Sequence, residues 1–256
     1  MANYEEERTM AKKKAQLNSA LFQMLNARLD GDADAKISDF TPEENKEVLI
    51  KSRERVKQFG EVYTPAWMVS DMCDMVPQLR LDDTTYSLED KLNFTVLEPT
   101  CGNGNFLVEL LRRKLHFAFS ADEDDLVINL FKAVSTLQGI DIQRDNVIET
   151  RERMHDIIVS IYEEHYNSPI PAYLISALDK VLELNIVHGD TLHYLMFDEH
   201  GFESGLLLNS WQIKRVNSNI VVTVYDYYLS DPDIDFNPRD INITELSNFN
   251  KSIKAC

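Results

Sequence analysis

Hydrophobic residues recur at helical spacing near the start of the chain. Leu17, Leu21, Met24, Leu25 and Leu29 predict a helix within residues 1–30. "GDADAKISDF" then reads as a loop. In "TPEENKEVLIKSRERVKQFG", Thr41 suits an N-cap, Pro42 the first helical position, and Glu44 follows three residues after the cap. Gly60 suits a left-handed C-terminal cap, so that helix is predicted to stop there. Thr64-Pro65 predicts the next helix entry, with Trp67, Met68, Met72 and Met75 on an inward face.

The pattern then changes to short runs rich in β-branched residues. "NFTVLEP" ends at Glu98, "STLQGIDI" near Asp141 and "LNIVHGD" at Asp190, and "NSNIVVTVYDYYL" is the longest. Helical stretches are predicted over 105–118, 126–134, 146–166 and 173–184. Strands alternating with helices predict an α/β fold with a parallel sheet wound in βαβ units. The domain reading is an N-terminal helical segment over 1–60 and an α/β domain over 61–256.

Composition narrows this picture. A chain of 256 residues, 44% hydrophobic, can bury one substantial core. Glycine and proline are sparse and no repeat or low-complexity run is visible, so disorder is expected only at the ends. No run approaches the ~18 apolar residues of a membrane span. The charged N-terminus lacks a signal-peptide core. A soluble, cytoplasmic protein with no membrane partner is expected. Cys73, Cys101 and Cys256 are far apart and form no Cys-x-x-Cys pair. Neither a metal site nor a disulfide framework is predicted, and free thiols suit a reducing compartment. The net charge is −17. Phosphate binding needs Lys and Arg in number, so any DNA contact must use a local basic strip or a second subunit.

The candidate chemistry lies in "LEPTCGNGNF". Ligands of a parallel sheet bind at the carboxyl ends of its strands. Gly102 and Gly104 would let the backbone approach a ligand that a Cβ would block. The following helix N-terminus offers unpaired N–H groups to an anionic ligand group. The dinucleotide pattern G-x-G-x-x-G is not met, since position 107 is Leu107. The phosphate-loop pattern is also absent.

The segment "LEPTCGNGNFL" resembles the S-adenosylmethionine loop of adenine-N6 DNA methyltransferases, Asp/Glu-Pro-x-x-Gly-x-Gly-x-Phe. The match is at Glu98, Pro99, Gly102, Gly104 and Phe106. Upstream, "GEVYTP" resembles the second signature of these enzymes, carried by Tyr63, Thr64 and Pro65. The order is that of type I and type II-like restriction–modification methylases, and the resemblance spans roughly residues 51–192. It implies a Rossmann-like class I methyltransferase core that binds S-adenosyl-L-methionine through those eight residues. It also implies that Asp141 bonds the ribose hydroxyls and Asp190 the adenine amine. Read from the residues alone, Asp141 also suits a helix cap and Asp190 a turn. His188 reads as a strand residue rather than a base.

The family's catalytic Asp/Asn/Ser-Pro-Pro-aromatic tetrapeptide is missing. Two degenerate candidates remain, Asp231 in "DPDI" and Asn237 in "FNPR", and both also read as surface turns. Four strand segments fall short of a complete methyltransferase sheet, and no target-recognition region follows residue 240. The leading expectation is a DNA adenine-N6 methyltransferase-like protein of a restriction–modification or phage system, with a truncated core. A partner subunit would complete the fold or supply target recognition. The alternative is a catalytically silent cofactor-binding or decoy (anti-restriction) module that acts by association. A third reading, a small-molecule or protein methyltransferase, is opposed by "GEVYTP".

Overall fold

The computed structural model describes residues 49–121, 125–217, 219–231 and 238–248. The chain divides into two compact units, one ending at Arg55 and one beginning at Val56. The helix expected within residues 1–30, and the caps at Thr41, Pro42 and Glu44, lie outside the described residues.

Helix α1 is Arg53–Phe59. It does not continue back through 49–52 as expected. Ser52 interrupts it and accepts a bond from Arg55 N at 3.2 Å. Gly60 ends it in the left-handed region, φ 67°, donating to Val56 O at 3.0 Å. Helix α2, Ala66–Asp74, begins directly after Pro65 as expected. Its inward face differs from expectation: Val69 and Cys73 are buried, while Met75 is 80% exposed and Met72 also faces out. Nine residues present one narrow stripe, and the i, i+4 pair Val69/Cys73 occupies it. A short helix not foreseen, α3, spans Leu88–Asn93 and opens on a capping box between Ser87 and Asp90.

The centre is a mixed five-stranded sheet in the order β1-β2-β3-β4-β5. Strands β1 (Val96–Glu98), β2 (Leu137–Asp141) and β3 (Ile186–Asp190) are parallel, with Glu98 opposite Gly139 and Asp141 opposite His188. Helices α4 (Asn105–Phe119) and α5 (Leu126–Ser135) connect β1 to β2. Helices α6 (Arg144–Tyr166) and α7 (Ala172–Asn185) connect β2 to β3. Strands β4 (Leu195–Phe197) and β5 (Glu203–Gly205) add on antiparallel beyond β3.

The fourth expected strand does not join the parallel set. It is β7 (Asn219–Tyr228), the middle of a separate antiparallel sheet between β6 (Leu207–Val216) and β8 (Arg239–Asn242). Strand β6 pairs with it along its whole length, from Val216 opposite Asn219 to Leu207 opposite Tyr228. Trp211 and Ile213 of β6 pack on the core, and the intervening Ser210, Gln212 and Lys214 face out. That alternation belongs to a sheet with one solvated face.

The main core lies between helices and sheet, around Leu107, Leu111, Phe131, Leu137, Met154 and Leu178. A smaller cluster, Ile140, Val187, Leu206 and Leu208, covers the opposite sheet face. There the base of the β6–β7 hairpin docks through a buried polar network. Gln138 Nε2 donates to Asn209 O at 2.5 Å, Tyr227 OH to Gln138 Oε1 at 2.8 Å, and Asn209 Nδ2 to Asp226 Oδ1 at 2.5 Å. Arg239 pairs with the other oxygen of Asp226.

Lys114 of α4 is fully buried. Its amine donates to Lys91 O at 3.0 Å and Leu92 O at 2.9 Å, in the last turn of α3. Burial pulls its pKa down to about 7. No helix among the described residues is long and apolar enough to cross a membrane.

Candidate functional site

Three parallel strands end on carboxylates: β1 on Glu98, β2 on Asp141 and β3 on Asp190. The glycine turn leaves β1 and crosses toward β2, where Cys101 N donates to Ile140 O at 2.8 Å. Gly102 (φ 54°) and Gly104 (φ 84°) both take the left-handed conformation that favours glycine. Gly104 is the N-cap of α4, and Val108 N bonds its carbonyl at 2.9 Å.

Each glycine is also hemmed in by the protein itself. A Cβ on Gly104 would lie 2.6 Å from Thr150 Cγ2 and 2.7 Å from its Oγ1. A Cβ on Gly102 would lie 3.2 Å from the Tyr63 ring. The turn is therefore packed between the Tyr63 ring and helix α6, and Thr150 Oγ1 donates to Gly102 O at 3.1 Å. Gly104→Ala is expected to destabilise the fold by about 2 kcal/mol, from positive φ and overpacking combined. Adding Thr150→Ala removes the two closest contacts and leaves the Thr150 Cβ at 3.0 Å together with the φ strain. Urea unfolding of the two singles and the double should therefore show a favourable coupling between them. Strict additivity would mean that the contact does not matter.

Asp141 ties the turn to β2. Its Oδ2 accepts from Gly102 N at 2.8 Å, and its Oδ1 from Gln143 N at 2.8 Å and Asn146 Nδ2 at 3.1 Å. A carboxylate offers about four acceptor positions, so these three leave room for a further donor. Asn146 connects this acid to the upstream signature. It donates to Glu61 Oε2 at 2.9 Å, and its Oδ1 stands 2.9 Å from Tyr63 OH, which also bonds Glu61 Oε1 at 2.9 Å. Thr64 contributes its carbonyl, which accepts from Asn105 Nδ2 at 2.8 Å. Pro65 is the residue before α2. Residues separated by some forty positions in sequence thus form one cluster around the glycine turn.

The charge of the cluster is acidic. Glu61 and Asp141 lie within it, and Glu98 stands at its β1 side, where burial raises the carboxyl's pKa. The guanidinium of Arg153 is directed to Asn103 O at 2.5 Å and Asn105 Oδ1 at 2.8 Å. Asn103 Oδ1 is a buried acceptor with no hydrogen-bond partner. Phe106 is half-buried and packs against the core. Cys101 is buried, and desolvation pushes its thiol pKa far up, so it is unreactive. No group of three or more His, Cys, Asp or Glu able to hold a metal occurs among the described residues.

The remaining candidates are bonded outside this network. Asp190 turns its carboxylate onto its own loop. Oδ1 accepts from Leu192 N at 2.9 Å and His193 N at 3.2 Å, and Oδ2 meets His193 Nδ1 at 2.7 Å. The bond from His193 holds its pKa below the ordinary value. Asp231 lies in the turn after β7, its N–H donating to Tyr228 O at 3.1 Å. The Tyr228 ring covers Gly205 at the end of β5. Asn237 lies outside the described residues.

Glu61, Asn146 and Thr150 belong to the site although the sequence reading does not single them out. A signal for two of them was present. Asn146 and Thr150 are an i, i+4 polar pair in the buried stripe of α6 that also carries Val147, Met154 and Ile158. No protein-family model, no curated protein and no solved structure matches the chain.

Proposed function

We propose that the chain is an S-adenosylmethionine-binding module with a Rossmann-like methyltransferase core, related to the adenine-N6 DNA methyltransferases. One observation carries this reading. The two signatures, Tyr63–Pro65 and Glu98–Phe106, are far apart in sequence and meet in space, with the Tyr63 ring on Gly102 and Asn105 bonded to Thr64 O. The strand order β1-β2-β3, with an acid ending each strand, supports the same reading. So does the sign of the charge. Glu61, Glu98 and Asp141 suit a ligand bearing a sulfonium, an ammonium and a sugar diol, and they oppose a dinucleotide's pyrophosphate.

In this reading the glycine turn receives the cofactor backbone, and Asp141 accepts from the ribose through its remaining position. Transfer to an exocyclic amine would need the acceptor nitrogen held in line with the methyl, within about 3.5 Å. The Pro-Pro-aromatic motif that does this in the family is absent from the sequence. This favours a module that needs a partner for transfer to DNA, or one that is silent. The net charge of −17 points the same way, since it opposes DNA encounter by the chain alone.

Isothermal calorimetry with S-adenosylmethionine, S-adenosylhomocysteine and NAD tests the cofactor reading. Binding of the first two and not of NAD is expected, and absence of heat with all three would sink it. Labelled-methyl transfer to mixed-sequence DNA then tests activity. No transfer by the chain alone is expected; robust transfer would make Asp231 and Asn237 the acceptor candidates.

A further inference from the structure

The turn after β3 crosses the ligand end of the sheet and is held there by few contacts. Strand β2 lies between β1 and β3. Even so, Thr191, just past β3, donates from Oγ1 to the carbonyl of Pro99, just past β1, at 2.6 Å. The bond therefore passes over the end of β2, where Asp141 stands. It links strands that are two spacings apart, about 10 Å. On its other flank the turn is fixed through Tyr194 O, which accepts from Leu206 N at 2.8 Å.

Between these two anchors the chain is poorly supported. Leu192 is 87% exposed and Tyr194 47% exposed, so neither apolar side chain is packed away. Tyr194 also sits at φ 56°, a conformation unfavourable for a bulky residue. The internal bonds of the turn are those that Asp190 makes to Leu192 N and to His193. Few buried contacts, exposed backbone bonds and a strained residue mark an element that opens at low cost. Such elements commonly gate sites.

We propose that residues 190–194 are a strap across the mouth of the cofactor site, latched by the Thr191–Pro99 bond. The strap lets go of Pro99 for a ligand to reach Asp141 and closes again behind it. The latch is a property of the protein alone; only the ligand named in its test rests on the S-adenosyl reading. The arrangement also accounts for Asp190, whose carboxylate is spent on the strap's own turn until that turn opens.

Thr191→Val keeps the shape and removes the hydroxyl, and Thr191→Ser keeps the hydroxyl. Amide hydrogen exchange is measured first on the ligand-free proteins. Leu192, His193 and Leu206 amides should exchange about five-fold faster in the Val variant, the ratio for losing one neutral hydrogen bond. The Ser variant should match wild type. The Cys101 amide, bonded to Ile140 O within the sheet, should be unchanged and reports an intact fold. Stopped-flow binding of S-adenosylhomocysteine should then show association and dissociation both about five-fold faster, with Kd little altered. Unchanged strap exchange in the Val variant overturns the latch whatever the ligand does. Faster exchange with unaltered ligand rates overturns the gating role. A wild-type protein that binds no S-adenosylhomocysteine overturns the cofactor reading, and the latch is then decided by exchange alone.

Discussion

Asp141→Asn should lower the unfolding free energy by about 3 kcal/mol, although it changes one atom and no volume. The carboxylate accepts on both sides: Gly102 N–H on Oδ2, and Gln143 N–H with the Asn146 amide on Oδ1. Either orientation of an asparagine amide turns an N–H donor against another donor. At least one N–H is then left without a partner, two if the amide nitrogen takes the Oδ1 place, and the charge that strengthened the other bonds is gone. The loss falls on the glycine turn, so ligand affinity should fall together with stability. Urea unfolding of the ligand-free protein measures the first effect and calorimetry the second. An unaltered unfolding midpoint with lost affinity would show that Asp141 is reserved for ligand and does not hold the turn.

Stability should rise as pH increases from about 7 toward 10, and Lys114→Met should remove that rise. The buried amine has its pKa drawn down to about 7 from an ordinary 10.5. Between those values the unfolded chain binds a proton that the folded chain lacks. Unfolding free energy therefore increases with pH across that window, by at most about 1.4 kcal/mol per unit. Below pH 7 the amine is charged in both states, and the full cost of burying the charge is present. Its two carbonyl acceptors at the end of α3 reduce that cost without cancelling it. The readout is the difference in slope between wild type and Lys114→Met in urea titrations at successive pH values, since other groups titrate in both. Parallel slopes would place the pH dependence elsewhere.

The parts of the fold set by local pattern were legible in the sequence. Strands ending at Glu98, Asp141 and Asp190, and the four helices between them, follow from short β-branched runs alternating with amphipathic stretches. The left-handed cap at Gly60 follows from glycine at a helix boundary. What was not legible depends on partners distant in the chain. "NSNIVVTVYDYYL" reads as a fourth strand, but its β-branched residues do not say which strand it pairs with. Its true partner, β6, alternates apolar and polar residues, and only the pairing of the two shows a hairpin. The Trp67–Met75 face failed because a short helix can be satisfied by either of two stripes. At the site, the acids and glycines were visible as a motif. The residues that hold them, Glu61, Asn146 and Thr150, carry no local signal beyond polar atoms among buried positions.

The docking of the β6–β7 hairpin on β2 has a consequence for how the chain assembles. Within the hairpin, Val216 faces Asn219 across a tight turn. The bond that seats the hairpin on the sheet, Gln138 to Asn209, joins residues 71 apart, and Tyr227 to Gln138 spans 89. Closing a loop of that length costs about 3 kcal/mol more chain entropy than closing the hairpin's own turn. The hairpin can therefore form on its own early, while its seat, on a strand flanked by two helical crossovers, exists only once β1, β2 and β3 have come together. Both faces of the parallel unit are covered only after this late step. Until then Ile140 and Val187 have no cover, and the sheet is open to non-native association through the face that the hairpin will later close.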